Sequence, residues 1–130
     1  MGRIIDSKMK SVSVSFGEGS YKITGMAVLC GGDVNFSFTG GTKPHIGAVS
    51  IAIYEPARDS ATVSTVTVYE HRDDQLSSRC AKNAAAFLKC VVTVSVGIHI
   101  DHAASEDLKI LVCNFNECYQ RLIAKVSQIR

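Results

Sequence analysis

The sequence predicts an α+β fold: a single, mostly antiparallel sheet of about six strands with two helices, in the order βββββαβα. Five segments of strand length come first and are joined by short turn-like segments, which favours antiparallel pairing. Two amphipathic segments follow, separated by one short apolar run, so the helices can cover one face of the sheet. We expect residues 1–130 to form a single domain, with residues 1–9 as a flexible arm.

The strands are predicted from alternation and from the turns that bound them. Residues 11–16 and 34–39 alternate polar and apolar side chains without a break, which is typical of strands with one solvated face. Gly31, Gly32 and Asp33 give a hairpin signal, and Gly25 is expected to mark a bulge. The predicted strands are residues 11–16, 21–30, 34–39, 48–54 (apolar on both faces and therefore central), 61–69 and 91–96.

The helices are predicted from apolar residues at helical spacing and from their capping signals. Asp73 or Asp74 is expected to cap the first helix, and Ser105 the second. The expected apolar positions are Leu76, Cys80, Ala84, Phe87 and Leu88 in the first helix and Leu108, Leu111, Val112, Phe115, Tyr119, Leu122 and Val126 in the second.

Composition excludes several classes of function. The formal net charge is only +2 and the basic residues are scattered, so we expect no nucleic-acid partner. No apolar stretch reaches 18 residues, so we expect no membrane association. The five cysteines form no CxxC pair and no signal peptide is visible, which favours reduced thiols and a cytoplasmic location.

The first candidate site lies in residues 97–103, where a strand gives way to a helix. His99 and Asp101 are two residues apart, so an extended backbone places both side chains on one face. An imidazole beside a carboxylate can bind a divalent cation, or the carboxylate can orient the imidazole. The alternative is a structural histidine held by an ordinary carboxylate, and His102 is expected to be a solvated loop residue.

Two further segments carry chemistry at element boundaries. The loop 40–47 has three glycines, Lys43 and His45, a combination that suits an anion such as phosphate, although it fits no Walker or GxGxxG motif. The corner 70–74 contains His71, which could bind metal, and Arg72, which could hold phosphate as a fork. The plain alternatives are a structural loop and a charged helix N-terminus.

Three stretches together resemble a known family. Residues 39–49 (TGGTKPHIGAV), 69–74 (YEHRDD) and 96–103 (VGIHIDHA) are similar to the small D-subunit family of the non-oxidative hydroxyarylic-acid (gallate-type) decarboxylase systems. That family is described as a prenylated-flavin chaperone, with a fold similar to the small proteasome-assembly chaperones. The resemblance covers roughly residues 20–127, and the three motifs occur in the family's order.

The resemblance implies an accessory protein and not an enzyme. It implies binding of prenylated FMN or FMN, with a divalent metal as a further expectation, and support for maturation of a partner decarboxylase apoenzyme. By motif position, the expected cofactor-binding residues are Gly40, Gly41, Lys43, His45, Arg72 and His99, and the expected metal ligands are His45, His71, His99 and Asp101.

Two other functions remain open from the residues. One is an interaction protein of the assembly-chaperone type, without a cofactor, whose sheet or helix face pairs with another subunit. The other is a small metal-dependent enzyme that uses His45, His71 and His99. A homodimer is expected, because most symmetric oligomers have two-fold symmetry.

Overall fold

The computed structural model describes residues 10–68 and 73–130, and the predicted arm 1–9 lies outside the described residues. The predicted order βββββαβα and the sheet of six strands are confirmed. The strands are β1 (Ser11–Phe16), β2 (Ile23–Cys30), β3 (Asp33–Gly41), β4 (Ala48–Glu55), β5 (Ser60–Thr67) and β6 (Val91–His99), and the helices are α1 (Asp74–Leu88) and α2 (Ser105–Ile129). Short 3-10 turns at Gly19–Tyr21 and Pro56–Arg58 precede β2 and β5.

The sheet has the strand order β1-β2-β3-β6-β4-β5, so β6 lies between two strands that precede it in the sequence. β6 is parallel to β3 and antiparallel to β4, and every other neighbouring pair is antiparallel. The chain therefore leaves β3 at Gly41, opposite His99, and re-enters the sheet at Ala48, opposite Val96. Because neighbouring strands are about 4.8 Å apart, the connecting loop must span about 10 Å across the end of β6.

Both helices cover the same face of the sheet. α2 packs on β1 and β2, while α1 packs on β4, β5 and β6. The core between the two layers is aromatic at its centre: the Phe38 ring is fully buried and lies 4.8 Å from the ring of Phe115. Aliphatic side chains fill the rest, among them Ile23, Val34, Val92, Val94, Val96, Leu122 and Val126.

The opposite face of the sheet, called here the outer face, carries no described helix. Its register brings together the side chains of Val49, Ile51 and Ile53 on β4, which are 39%, 42% and 50% exposed. Serine, threonine and asparagine occupy the same face on β1, β3 and β6. No helix in the described part of the chain is long and apolar enough to cross a membrane.

Gly25 does not form the predicted bulge. The register of β2 continues through Gly25, with Val14 on one side and Phe38 on the other. A Cβ at this position would come within 2.8 Å of the Phe38 ring. Glycine is required there because the ring of Phe38 fills the space that a side chain would occupy.

The predicted helix starts differ in detail. Asp73 precedes α1 but makes no described capping hydrogen bond with its side chain. In α2 the residue before the helix is Ala104 and not Ser105, and its N–H donates to Asp107 Oδ2 at 2.8 Å. The carboxylate in the first turn therefore replaces the expected serine cap. Tyr21 reinforces this start, because its hydroxyl donates to Asp107 at 2.6 Å.

The predicted apolar faces are largely buried, with exceptions. Phe87 is 63% exposed and lies on the solvent side of α1. Leu108 and Val112, near the start of α2, are 48% and 40% exposed. These last two side chains border a cavity at the edge of the sheet where β6 ends.

Candidate functional site

The loop 42–47 passes against the end of β6, and glycines make this approach possible. A Cβ at Gly97 would overlap the carbonyl oxygen of His45, and a Cβ at Gly41 would overlap the carbonyl oxygen of His99. A Cβ at Gly47 would overlap the carboxylate of Asp73. Because these three positions lack a side chain, the loop can lie directly against β6 and the start of α1.

The carbonyl oxygen of His99 anchors the loop. It accepts hydrogen bonds from the N–H of Thr42 at 2.7 Å and from the Thr42 hydroxyl at 3.2 Å. The N–H of Lys43 contacts the same oxygen at 3.4 Å. Since these bonds use the backbone of residue 99, they hold the loop in place while leaving the imidazole available for other contacts.

The side chain of His45 extends from the loop toward the start of α1. Its Nδ1 lies 2.8 Å from the carbonyl oxygen of Lys43, which orients the ring. Its Nε2 lies 3.7 Å from Oδ2 of Asp73, a carboxylate whose side chain is only 9% exposed. The His45 and His99 rings are 6.4 Å apart between centroids and nearly perpendicular. Two of the candidate segments, the loop 40–47 and the strand end at 97–103, are therefore adjacent in the structure.

His99 lies beside Asp101, as the spacing predicts. The Nε2 of His99 is 2.9 Å from Asp101 Oδ1, and the ammonium of Lys43 is 3.3 Å from the same oxygen. Hydrogen bonds from His99 and then Lys43 lower the pKa of the Asp101 carboxyl below its ordinary value. These groups are exposed, so the cluster is a polar rim that solvent and ligands can reach.

A cavity of about 560 Å³ opens beside this cluster. Apolar side chains from β6 and α2 form much of its wall, and the polar groups at its edge are few. Its size and composition are those of a small-molecule site. The lining residues include Ile98, Ile100, Leu108, Leu111 and Val112, together with Asp73, Arg79 and His99.

The structure brings together His45, His99, Asp101 and Lys43, while Gly40 and Gly41 end strand β3 beside them. His71 and Arg72 lie outside the described residues. In the described part of the chain, no group of three or more His, Cys, Asp or Glu side chains is arranged to hold a metal ion. The metal centre expected at His45, His71, His99 and Asp101 therefore gains no support. His102 is exposed and has a left-handed backbone, as suits a loop residue.

The apolar wall of the cavity is not apparent from the sequence. Leu108 and Val112 share the helical spacing of the buried residues in α2, and this spacing predicts that both belong to the core. The signal available in the sequence is their position, because both lie near the start of α2, soon after the strand end at His99 with which they share the cavity. The sequence indicates Asp73 as a helix cap within the 70–74 segment but does not indicate that its carboxylate faces His45.

Comparison with known proteins identifies related sequences. A sequence model of the prenylated flavin chaperone LpdD-like domain matches residues 17–127. The protein LpdD of Lactiplantibacillus plantarum is 27% identical over 84 residues, which cover 65% of this chain and 62% of the relative. The matched part thus spans less than two thirds of that relative's length.

A similar fold occurs in a solved structure. The crystal structure of a chaperone complex for yeast 20S proteasome assembly contains a chain that superposes with a TM-score of 0.60. The match covers 92% of this chain and 96% of the other, with 14% sequence identity. At this identity the likeness concerns the fold alone, and it agrees with the assembly-chaperone-like fold that the resemblance implies.

Proposed function

Because the chain belongs to the prenylated flavin chaperone LpdD-like family, we propose that it binds prenylated FMN and supports maturation of a partner decarboxylase in the cytoplasm. Membership of a chaperone family makes it an accessory protein and not an enzyme. The decarboxylase apoenzyme would receive the cofactor from this protein. Neither nucleic acid nor a membrane has a part in the proposal.

The observation that carries the proposal is the meeting of the loop 42–47 with the end of β6, beside the cavity of about 560 Å³. FMN combines an apolar ring system with polar ring atoms and a phosphate. The cavity offers matching chemistry: aliphatic side chains from α2 for the ring, and the imidazole of His99 at the polar edge.

The loop residues have different roles in this proposal. His99 lines the cavity and would contact the polar ring atoms, while His45, whose ring is 6.4 Å from that of His99, would approach them from the adjoining loop. Lys43 adds positive charge to the rim. Gly40 and Gly41 would allow the ligand to pack closely against the backbone. The N–H of Gly41 would not be a donor to the ligand, because it already contacts the carbonyl oxygen of Lys22 at 3.4 Å. Asp101 would orient His99. Binding by these groups needs no metal ion.

The test is flavin binding by the purified protein, followed by transfer. We expect FMN and prenylated FMN to be retained after desalting, with tighter binding of the prenylated form because it adds apolar surface. Mixing the loaded protein with a decarboxylase apoenzyme should restore decarboxylation in parallel with loss of bound flavin. Failure to bind either flavin, with or without added divalent metal, would refute the proposal.

A homodimer is the second part of the proposal, and the outer face supports it. The aliphatic stripe of Val49, Ile51 and Ile53 is half exposed, and on this face the charged side chains Asp33 and Glu55 lie only at strand ends. Because these charges lie at the margins, the aliphatic centres of two copies can stack with little repulsion between like charges, so a second copy of this chain is the partner that fits.

Its test is the molar mass in solution. We expect light scattering to give the mass of two chains, and Ile51→Lys to give a folded monomer. Ser13→Lys is the matched control, because it adds the same charge to the same face on the edge strand β1, away from the aliphatic stripe. A wild-type monomer would exclude this dimer. If that monomer still binds flavin, only the dimer proposal fails and the cofactor proposal stands.

A further inference from the structure

We propose that Arg79 is the phosphate-binding residue of the cavity, an inference that rests on the proposed flavin function. Arg79 lies on α1 and lines the cavity across from His99 and the aliphatic wall of α2. The sequence motifs assign no function to Arg79, because it lies outside all three motif stretches. Its assignment comes from the position of its side chain.

Among the residues that the structure describes, Lys43 is the other cation beside the site, and it is less suited to this role. The ammonium of Lys43 is already paired with Asp101 at 3.3 Å, and Lys43 does not line the cavity. The guanidinium of Arg79, by contrast, makes no hydrogen bond or ion pair to any residue that the structure describes. An arginine available at a cavity wall can bind a phosphate through two parallel N–H donors.

The positions of the charged side chains determine how the proposed ligand would be oriented in the cavity. At one end of the cavity Asp73 faces His45, so a phosphate there would meet a carboxylate. Arg79 lies about 1.7 helical turns further along the chain. It is at the boundary between this cavity and a second groove of about 520 Å³ between the helices. The flavin ring would therefore lie against Ile98, Leu108 and Leu111, with its phosphate directed toward Arg79.

The ligand class is thus an aromatic or aliphatic ring system that carries a phosphate monoester. FMN and riboflavin differ only in that phosphate, so comparing them isolates the contact. We expect the wild type to bind FMN more tightly than riboflavin. We expect Arg79→Gln to weaken FMN binding by roughly 10- to 100-fold, the range of a charge-assisted pair, while leaving riboflavin binding unchanged.

The controls use the same helix. Lys82→Gln removes one positive charge from α1 at a residue that lines only the second groove, so it should leave the FMN to riboflavin ratio unchanged. Arg79→Lys should recover only part of the affinity, because an ammonium cannot form the two-pronged contact. Since Arg79 is exposed, the Tm of both Arg79 variants should match the wild type.

The outcomes separate this inference from the function on which it rests. If the wild type prefers FMN and Arg79→Gln keeps that preference, the phosphate is bound elsewhere and the inference is wrong, while the flavin function stands. Equal wild-type affinity for FMN and riboflavin would also overturn the inference alone. If the wild type binds neither FMN, riboflavin nor prenylated FMN, the proposed function itself fails.

Discussion

Replacing His99 with alanine should separate flavin binding from stability. The His99 side chain is 41% exposed, and its described polar contact is with Asp101, whose side chain is 50% exposed. Exposed ion pairs contribute little, so we expect the Tm to fall by at most about 5 °C for a chain of this length. The carbonyl oxygen that anchors Thr42 remains in the variant, so the loop should keep its position.

Flavin affinity should respond much more strongly than stability. Loss of the imidazole and its polar contact at the edge of the cavity should weaken binding by roughly tenfold or more. The measurement pairs a fluorescence titration with FMN and a thermal melt of the same samples. His102→Asn is the matched control: it removes a neighbouring exposed imidazole, and asparagine tolerates the left-handed backbone at φ 54°. A large fall in Tm with His99→Ala, or unchanged affinity, would refute the reasoning.

Three further predictions concern the glycines and the charged rim. Gly97→Ala should displace the loop 42–47, because the new methyl group would overlap the His45 carbonyl oxygen, and titration should show loss of FMN binding in a protein that still folds. Gly25→Ala should lower the free energy of unfolding by about 1–3 kcal/mol through overpacking against Phe38; in urea denaturation Gly32→Ala, with open space around it, should change it much less. The pKa of Asp101 is lower in the folded protein than its ordinary value of about 3.9. Its contacts therefore stabilise the loop fully at pH values above about 3.9, and this stabilisation is lost as the pH falls through the lowered pKa. Carboxyl NMR titration should therefore give a midpoint below about 3.9 that rises in the variant His99→Ala, and an unshifted midpoint in the wild type would contradict the observed contacts.

The order of the elements could be predicted from the sequence because alternation and helical spacing are local signals. The strand pairing could not be predicted in full. The short connections up to Ala48 suggest simple hairpins, yet β6 inserts between β3 and β4. That pairing is set by the burial of Val92, Val94 and Val96 on one side of a central strand, which is a property of the whole core and not of any single segment.

The site was predictable in its polar part and hidden in its apolar part. His45 and His99 are two of only four histidines in the sequence, and both lie at element ends, as does Asp101, so these residues are visible in the sequence. Leu108 has the same spacing as core leucines, and only the position of α2 relative to the sheet shows that it is half exposed. Ser77 is the reverse case: it is fully buried in α1 and lies 2.8 Å from the Ser50 hydroxyl, which no hydropathy pattern indicates.

The insertion of β6 has a consequence for the order in which the parts of the candidate site come together. During synthesis β3 and β4 emerge first, yet they cannot take their final separation until residues 91–99 arrive to fill the gap between them. Such long-range pairing requires closure of a large loop of chain and is therefore late in folding. A nascent or truncated chain that ends before β6 would contain His45 and Lys43 but not the strand end against which the loop 42–47 is held, so the proposed flavin site could not form in it.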